Sequence, residues 1–296
     1  MDSWGITVTV GMAAGLACRI YLLRTDYRRY PGYPHSVITH LSLAAIASLI
    51  GAVAVPALAA REYTAVTFLA LAAQQFREIR NLERKSLAEL EELELVPRGR
   101  DYIEGIARVF ESRNYLVMLT SLGASLSTFY LHWGVGIALS LVFIYISGHL
   151  RRGKYLGEIA TVEPASISFH GPFLTIHGVV VTNIGLKRAR EKILREGRAV
   201  IIKPKNDDAR AILHDAGQRQ AILHTVASLL GTKVDISERE WKPLACKNID
   251  TGEVVLYIVP NEPDMECLLE AVRMTPVLES AVTRPLKSRI GRAAAD

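Results

Sequence analysis

Apolar and polar positions are distributed differently in the two halves of the chain. The first half holds long apolar runs separated by short charged stretches, and the second half alternates over shorter periods. Gly5 to Leu23 is apolar except for Arg19 and has about the length that a bilayer core requires. Arg19 is close enough to the end of that run to snorkel to the interface. Val37 to Ala60 is a second run, rich in Ala, with Pro56 near its end and small residues that suit close helix packing. Thr64 to Phe76 is shorter and reads as a third span or as a re-entrant segment. Tyr115 to His149 is too long for one span. His132-Trp133-Gly134 interrupts it as an interfacial turn, leaving Tyr115 to Leu131 and Val135 to Ser147 as two short spans. The pattern predicts an N-terminal α-helical membrane domain of about five transmembrane helices.

Two polar stretches lie between these runs. Arg77 to Leu95 is dense in charge, with Leu82, Leu87, Leu90 and Leu93 at helical intervals, and reads as an amphipathic stalk ended by Pro97 and Gly99. Arg98 to Asn114 follows, a second helix. Asp101 stands as its N-cap with Glu104 three residues on, the capping-box spacing. Ile103, Ile106, Ala107 and Phe110 form an apolar face; Glu104 and Arg108 are spaced for an ion pair.

From Glu158 onward the pattern is that of strands and short helices. Ile159 to His170 and Pro172 to Val181 suggest a hairpin turning at Gly171-Pro172. Lys187 to Glu196 is a basic helix, either solvated or lying against anionic headgroups. Next come a strand at Ala199 to Ile202, a helix from Asn206 or Asp207 to about Leu230 closed by Gly231, and short strands at Lys233 to Ile236 and Leu244 to Asn248. A strong strand at Val254 to Val259, a helix from Pro263 to about Met274 and a last strand at Leu278 to Val282 complete the pattern. The β-α-β-β-α-β order suggests a ferredoxin-like sandwich. The expected division is a membrane domain over 1–154, containing the helix at 98–114, an α+β domain over 155–284, and a basic, Ala-rich tail over 285–296.

Composition sharpens this picture. The mean hydropathy of +0.19 is high for a chain that is 22% charged, and it averages over two unlike halves. Arg24, Arg28 and Arg29 beside the first run place that loop in the cytoplasm, the N-terminus outside and the C-terminal domain inside. The net charge of +5 comes with no nucleic-acid-binding motif, so nucleic acid is not an expected partner. Cys18, Cys246 and Cys267 form neither a Cys-x-x-Cys pair nor a zinc pattern, and no metal or cofactor is expected.

Candidate chemistry is sparse. Asp101 and Glu104, three residues apart on a helix, could form an acid/base or proteolytic pair if partly buried; the reading the residues favour is that Asp101 caps the helix and Glu104 pairs with Arg108. A metal or proton site built from His35, His40, His149 and Glu104 is conceivable at the inner surface, with Asp26 and Arg28 joining that polar layer, although His35 and His40 do not share one helical face. His170 and His177 flank a hairpin and read as structural, and His214 and His224, ten residues apart on a helix, are too far apart for one ligand pair. Ser125 and Ser127 sit in an apolar run and suit helix packing. No Walker loop, Gly-x-Gly-x-x-Gly, His-Glu-x-x-His or Gly-x-Ser-x-Gly occurs.

The string Tyr102-Ile103-Glu104-Gly105-Ile106-Ala107, followed by Arg108, resembles the signature of the YIEGIA family of bacterial membrane proteins, which is named after it. The resemblance implies an integral membrane protein of spore-forming Gram-positive bacteria and a small soluble companion, a capping subunit. It carries no catalytic residue. The expectation is a membrane scaffold or regulator with that subunit and the bilayer as partners; homo-oligomerisation stays open. The alternative is a membrane-associated protease or hydrolase acting through Asp101 and Glu104.

Overall fold

The computed structural model describes residues 3–29, 37–91, 94–150, 153–234 and 241–282. They divide into two compact units. One comprises Met1–Ser86 and Ile106–Arg152, the other Leu87–Gly105 and Gly153–Asp296.

The first unit is helical. It is built from α1 (Ser3–Arg29), α2 (Val37–Ala59), most of α3 (Tyr63–Glu91), the larger part of α4 (Arg100–Tyr130) and α5 (Trp133–Leu150). Small residues set its packing. A Cβ on Gly11 would meet Ala52, and one on Gly15 would meet Ser48, so α1 and α2 run antiparallel at close approach. A Cβ on Gly51 would press on the Met118 carbonyl oxygen of α4. Two rungs join the parallel pair α2 and α4: Ser121 Oγ donates to the Ser48 carbonyl at 2.5 Å and Ser125 Oγ to the Ala52 carbonyl at 2.7 Å. Such hydroxyl-to-carbonyl bonds between closely packed helices hold where the hydrophobic effect is weak. Ser125 thus packs helices as expected, whereas Ser127 bonds within its own helix, to the Gly123 carbonyl.

The expectation of about five membrane helices is overturned. Among the described residues two stretches are long and apolar enough to cross a membrane, Trp4–Arg24 and Val37–Ala59. Trp133–Gly148 is apolar but shorter. The apolar part of α3 gives way to charge from Arg77 within the same helix, and α4 has a charged first half. The segments read as separate elements, 98–114 and 115–131, form one continuous helix of 31 residues. At 1.5 Å per residue that helix is about 46 Å long.

The second unit has two sheets. α6 (Leu156–Ile159) leads into β1 (Ala160–Ala165); β2 (Ile167–His170), β3 (Phe173–Ile176) and β4 (Val179–Asn183) form a three-stranded meander. After α7 (Lys187–Glu196) come β5 (Arg198–Pro204), α8 (Asp207–Leu213), α9 (Ala216–Leu230), β6 (Leu244–Lys247), β7 (Val254–Ile258), α10 (Met265–Arg273) and α11 (Glu279–Val282). The larger sheet has the order β1-β5-β7-β6, antiparallel throughout. Its central strands read as unbroken apolar runs because both faces are covered. Ala199, Ile201, Val255 and Tyr257 pack toward the meander and Ile193 of α7. Val200, Ile202, Val254, Leu256 and Ile258 are buried on the opposite face, where α8 packs on β5.

Several sequence expectations change here. Leu278 to Val282 forms a one-turn helix after Leu278, not a strand. The edge position beside β5 goes to β1, which precedes the β-α-β-β-α run, so the ferredoxin-like connectivity does not form. Residues 235–236 of the expected strand at 233–236 lie outside the described residues, and Lys233 and Val234 are not in a strand. Beyond the hairpin at Gly171-Pro172 a second one turns at His177 and Gly178, both left-handed (φ +48° and +77°), as a two-residue hairpin demands. The long helix at 206–230 breaks at His214, and Asp215 caps α9 by accepting from Gln218 N–H.

Candidate functional site

The signature string divides between the units after Gly105. Its first part is built into the α+β unit. α4 begins at Arg100, one residue earlier than the spacing suggested, so Asp101 lies in the first turn and is exposed. Gly99 precedes the helix with φ +81°, and its carbonyl accepts the first helical bond, from Ile103 N–H. The Tyr102 N–H, one of the donors that a helix start leaves without an internal partner, is met by Gln220 Oε1 of α9 at 3.3 Å. The cap is therefore tertiary. A Cβ on Gly217 would press on the Asp101 carbonyl at 3.1 Å, and one on Gly105 would reach Ser280 Oγ of α11 at 2.7 Å. These two glycines let the start of α4 sit against α9 and α11.

The segment before α4 is held by charge. Arg98 Nη1 pairs with Glu91 Oε1 at 2.5 Å, and both side chains are almost wholly buried. Glu91 Oε2 accepts from Gly99 N–H, and Arg98 also reaches Glu94. His224 Nδ1 lies 3.1 Å from the Val96 carbonyl, which can only accept, so that nitrogen carries a proton. The Tyr102 ring stands edge-on to His224. Burial pushes the Tyr102 phenol up to about 12, with Glu91 adding to the rise and Arg98 opposing it. On α9, Gln218 is fully buried; its Nε2 donates to the Pro276 carbonyl and its Oε1 accepts from Leu278 N–H.

The helical unit contains a second concentration of charge. Arg19, expected to snorkel, is 1% exposed and points inward. Its Nη1 pairs with Asp26 Oδ2 at 2.9 Å, seven residues on along the same face of α1. Arg113 of α4, fully buried, places Nε and Nη2 on Asp26 Oδ1, both at 2.9 Å. Arg19 Nη2 also lies 2.8 Å from His40 Nδ1 of α2. A guanidinium can only donate, so His40 Nδ1 accepts and its ring is neutral with the proton on Nε2. The Phe110 ring lies against both Arg19 and His40. Beside Arg113, Asn114 is 1% exposed and its amide atoms have no hydrogen-bond partner among the described residues.

Of the residues singled out in sequence, Tyr102, Ile103, Gly105, Ile106 and Ala107 are buried, Glu104 is half-buried, and Asp101 and Arg108 are exposed. Arg19 bridges Asp26 and His40, and Glu104 of the expected metal or proton site belongs to the other unit. His35 lies outside the described residues, as does the His149 side chain. Among the described residues no group of His, Cys, Asp and Glu is arranged to hold a metal. Sequence reasoning missed Gln218, Gln220 and Arg113. The seven-residue spacing of Arg19 and Asp26 is a signal that could have paired them; nothing local points to Arg113 or to the glutamines. A groove of about 330 Å³ near α8 is lined by Arg210, His214 and Asp215, among others. Burial, then Lys247 and Arg210, push the His214 imidazole down.

Comparison with known proteins accounts for the signature. No solved structure matches the chain. An uncharacterized protein of Bacillus subtilis, YphB, is 38% identical over 285 residues, 96% of each chain. The family model for YIEGIA proteins matches residues 7–288, and the chain belongs to that family.

Proposed function

We propose that this YIEGIA-family chain is a membrane-anchored scaffold whose α+β unit recruits a small soluble subunit, in a spore-forming cell. One observation carries the reading. The signature residues with the least exposure, Tyr102, Ile106 and Ala107, are spent on packing, and the one helix that bears them contributes to both units. A string used in this way serves architecture. The hydrolase reading requires Asp101 and Glu104 to act as an activated pair, and Asp101 lies open to solvent at the helix start.

The proposed location is the cell membrane, with α1 and α2 as crossings and the α+β unit at the cytoplasmic face. Residues 87–105 pack into the same unit as 153–282, so they share one side of the bilayer, and the chain between them crosses an even number of times or not at all. Two considerations pull against each other on sidedness. Arg24, Arg28 and Arg29 favour an inner loop between α1 and α2, which sends the α+β unit outward if those are the crossings before it. The soluble partner and the free thiols Cys246 and Cys267 favour the inside. Cys267 is exposed, so a membrane-impermeant maleimide decides: labelling after permeabilisation alone supports the cytoplasmic placement, and labelling of intact cells overturns it.

Scaffold and enzyme are separated by the double variant Asp101→Asn, Glu104→Gln. Capture of the soluble subunit and turnover of co-expressed membrane-proximal proteins are measured together. The scaffold reading expects no turnover by the native chain. Turnover by the native chain that the variant loses, with capture intact, would establish the enzyme instead.

A further inference from the structure

We propose that α7 docks the α+β unit onto the surface of a bilayer rich in anionic phospholipid. Between Lys187 and Glu196 the chain carries five basic and two acidic residues, a net +3 of the chain's +5 in ten positions. The helix cannot turn this charge elsewhere, because its inner side is locked: Ala189 and Ile193 are in the core, and Lys192 Nζ sits 3.3 Å from the Trp241 ring centroid. Its outer face combines charge with apolar groups. Leu194 is 54% exposed on the face that also carries Lys187 and Glu191, Leu186 at the N-cap is 64% exposed, and Arg188 and Arg195 are exposed too. The β2–β3 turn is tied to the start of this helix. Arg190 Nη1 donates to the Gly171 carbonyl and Ile184 N–H to the Pro172 carbonyl, which brings the exposed Phe173 beside the start of α7.

Exposed leucine and phenylalanine among basic side chains are what an interfacial helix needs: apolar groups enter the headgroup boundary and the cations meet lipid phosphates. Glu191 pairs with Lys187 at 3.9 Å and Glu196 with Arg195 and Lys233; the net +3 already counts both glutamates, and Arg188, Arg190 and Lys192 make up the excess.

The inference rests on the membrane reading above, and the experiment tells the two apart. The full chain, carrying Cys246→Ser, Cys267→Ser and Leu194→Cys, is labelled at position 194 with an environment-sensitive fluorophore. It is then reconstituted into phosphatidylcholine vesicles with or without about 30% phosphatidylglycerol. The expected result is a blue-shifted emission shielded from iodide with the anionic lipid only, lost in high salt and lost when Lys187, Arg188 and Arg195 are changed to Glu. A probe placed by Leu229→Cys, also exposed but on α9, should stay quenchable throughout. If the chain floats with vesicles but position 194 is quenched equally in both lipids, docking is refuted and the anchor stands. Shielding that ignores lipid charge refutes it as well, and points to a protein cover. Failure to float after an alkaline wash removes the membrane reading and this inference with it.

Discussion

In the helical unit the largest side chains withdrawn from solvent are two arginines, Arg19 and Arg113; in the α+β unit they are Tyr102, Tyr257 and a set of isoleucines and leucines. The helical unit places small residues at its helix contacts and leaves many leucines and phenylalanines outward, among them Leu49, Phe68, Leu126 and Phe143. The α+β unit covers both faces of a sheet with apolar side chains. On the membrane location proposed above, the contrast is that between a structure whose outer surface stays apolar because lipid wets it and one that must hide its apolar surface from water. In the first, polar groups are the adhesive and their pairing is critical. In the second, burial holds the fold and polar groups finish its joints.

The largest effect should come from the adhesive itself. Asp26→Asn leaves two buried guanidiniums without their shared carboxylate, and a loss of about 3–5 kcal/mol is expected, measured by thermal unfolding of the purified chain in detergent. A loss below one kcal/mol, of the order of a surface pair, would erase the contrast. The joints of the α+β unit come next. Gln218→Ala strands the Pro276 carbonyl and the Leu278 N–H and should cost about 2–3 kcal/mol, read in the same way.

The helix contacts offer a paired test. Gly51→Ala drives a methyl into the backbone of α4 and should cost about 1–3 kcal/mol, whereas Gly123→Ala has open space around it and should be neutral or stabilising by up to about 1 kcal/mol. Equal effects at the two glycines would show that close helix approach is not what holds this unit.

The gentlest test is one of pH. The folded chain keeps the Tyr102 proton to about 12, whereas an unfolded tyrosine releases it near 10. Between those values the folded state binds more protons, so stability falls as pH rises, by at most about 1.4 kcal/mol per pH unit. Below 10 this contribution is complete. Tyr102→Phe should flatten that alkaline limb of a urea-midpoint profile and leave the neutral region parallel. An unchanged limb would assign the alkaline loss to other tyrosines.

How much of this was legible depends on the range of the interaction. α7 runs from Lys187 to Glu196 as its basic periodicity indicated, and β7 follows the apolar run at 254–259, because local pattern and burial agree there. The count of crossings misled because apolar content was judged in windows. α3 and α4 each join an apolar and a charged half in one helix. The cap of α4 misled for a related reason. Asp101 has the right chemistry for an N-cap, but Gln220, more than a hundred residues away, reaches the Tyr102 N–H instead.

Sequence alone determined the division into an apolar helical half and an α+β half, the membership of the YIEGIA family and most element positions, since each follows from side chains within a few turns or strands of one another. Tertiary structure alone decided that β1 closes the sheet edge, that Arg19 turns inward to share Asp26 with Arg113, and that the signature is cut after Gly105 between two units. Those outcomes depend on which distant groups arrive first at a buried donor, acceptor or strand edge. A buried polar group must be satisfied by whatever the fold brings within reach, and periodicity along the chain does not encode that.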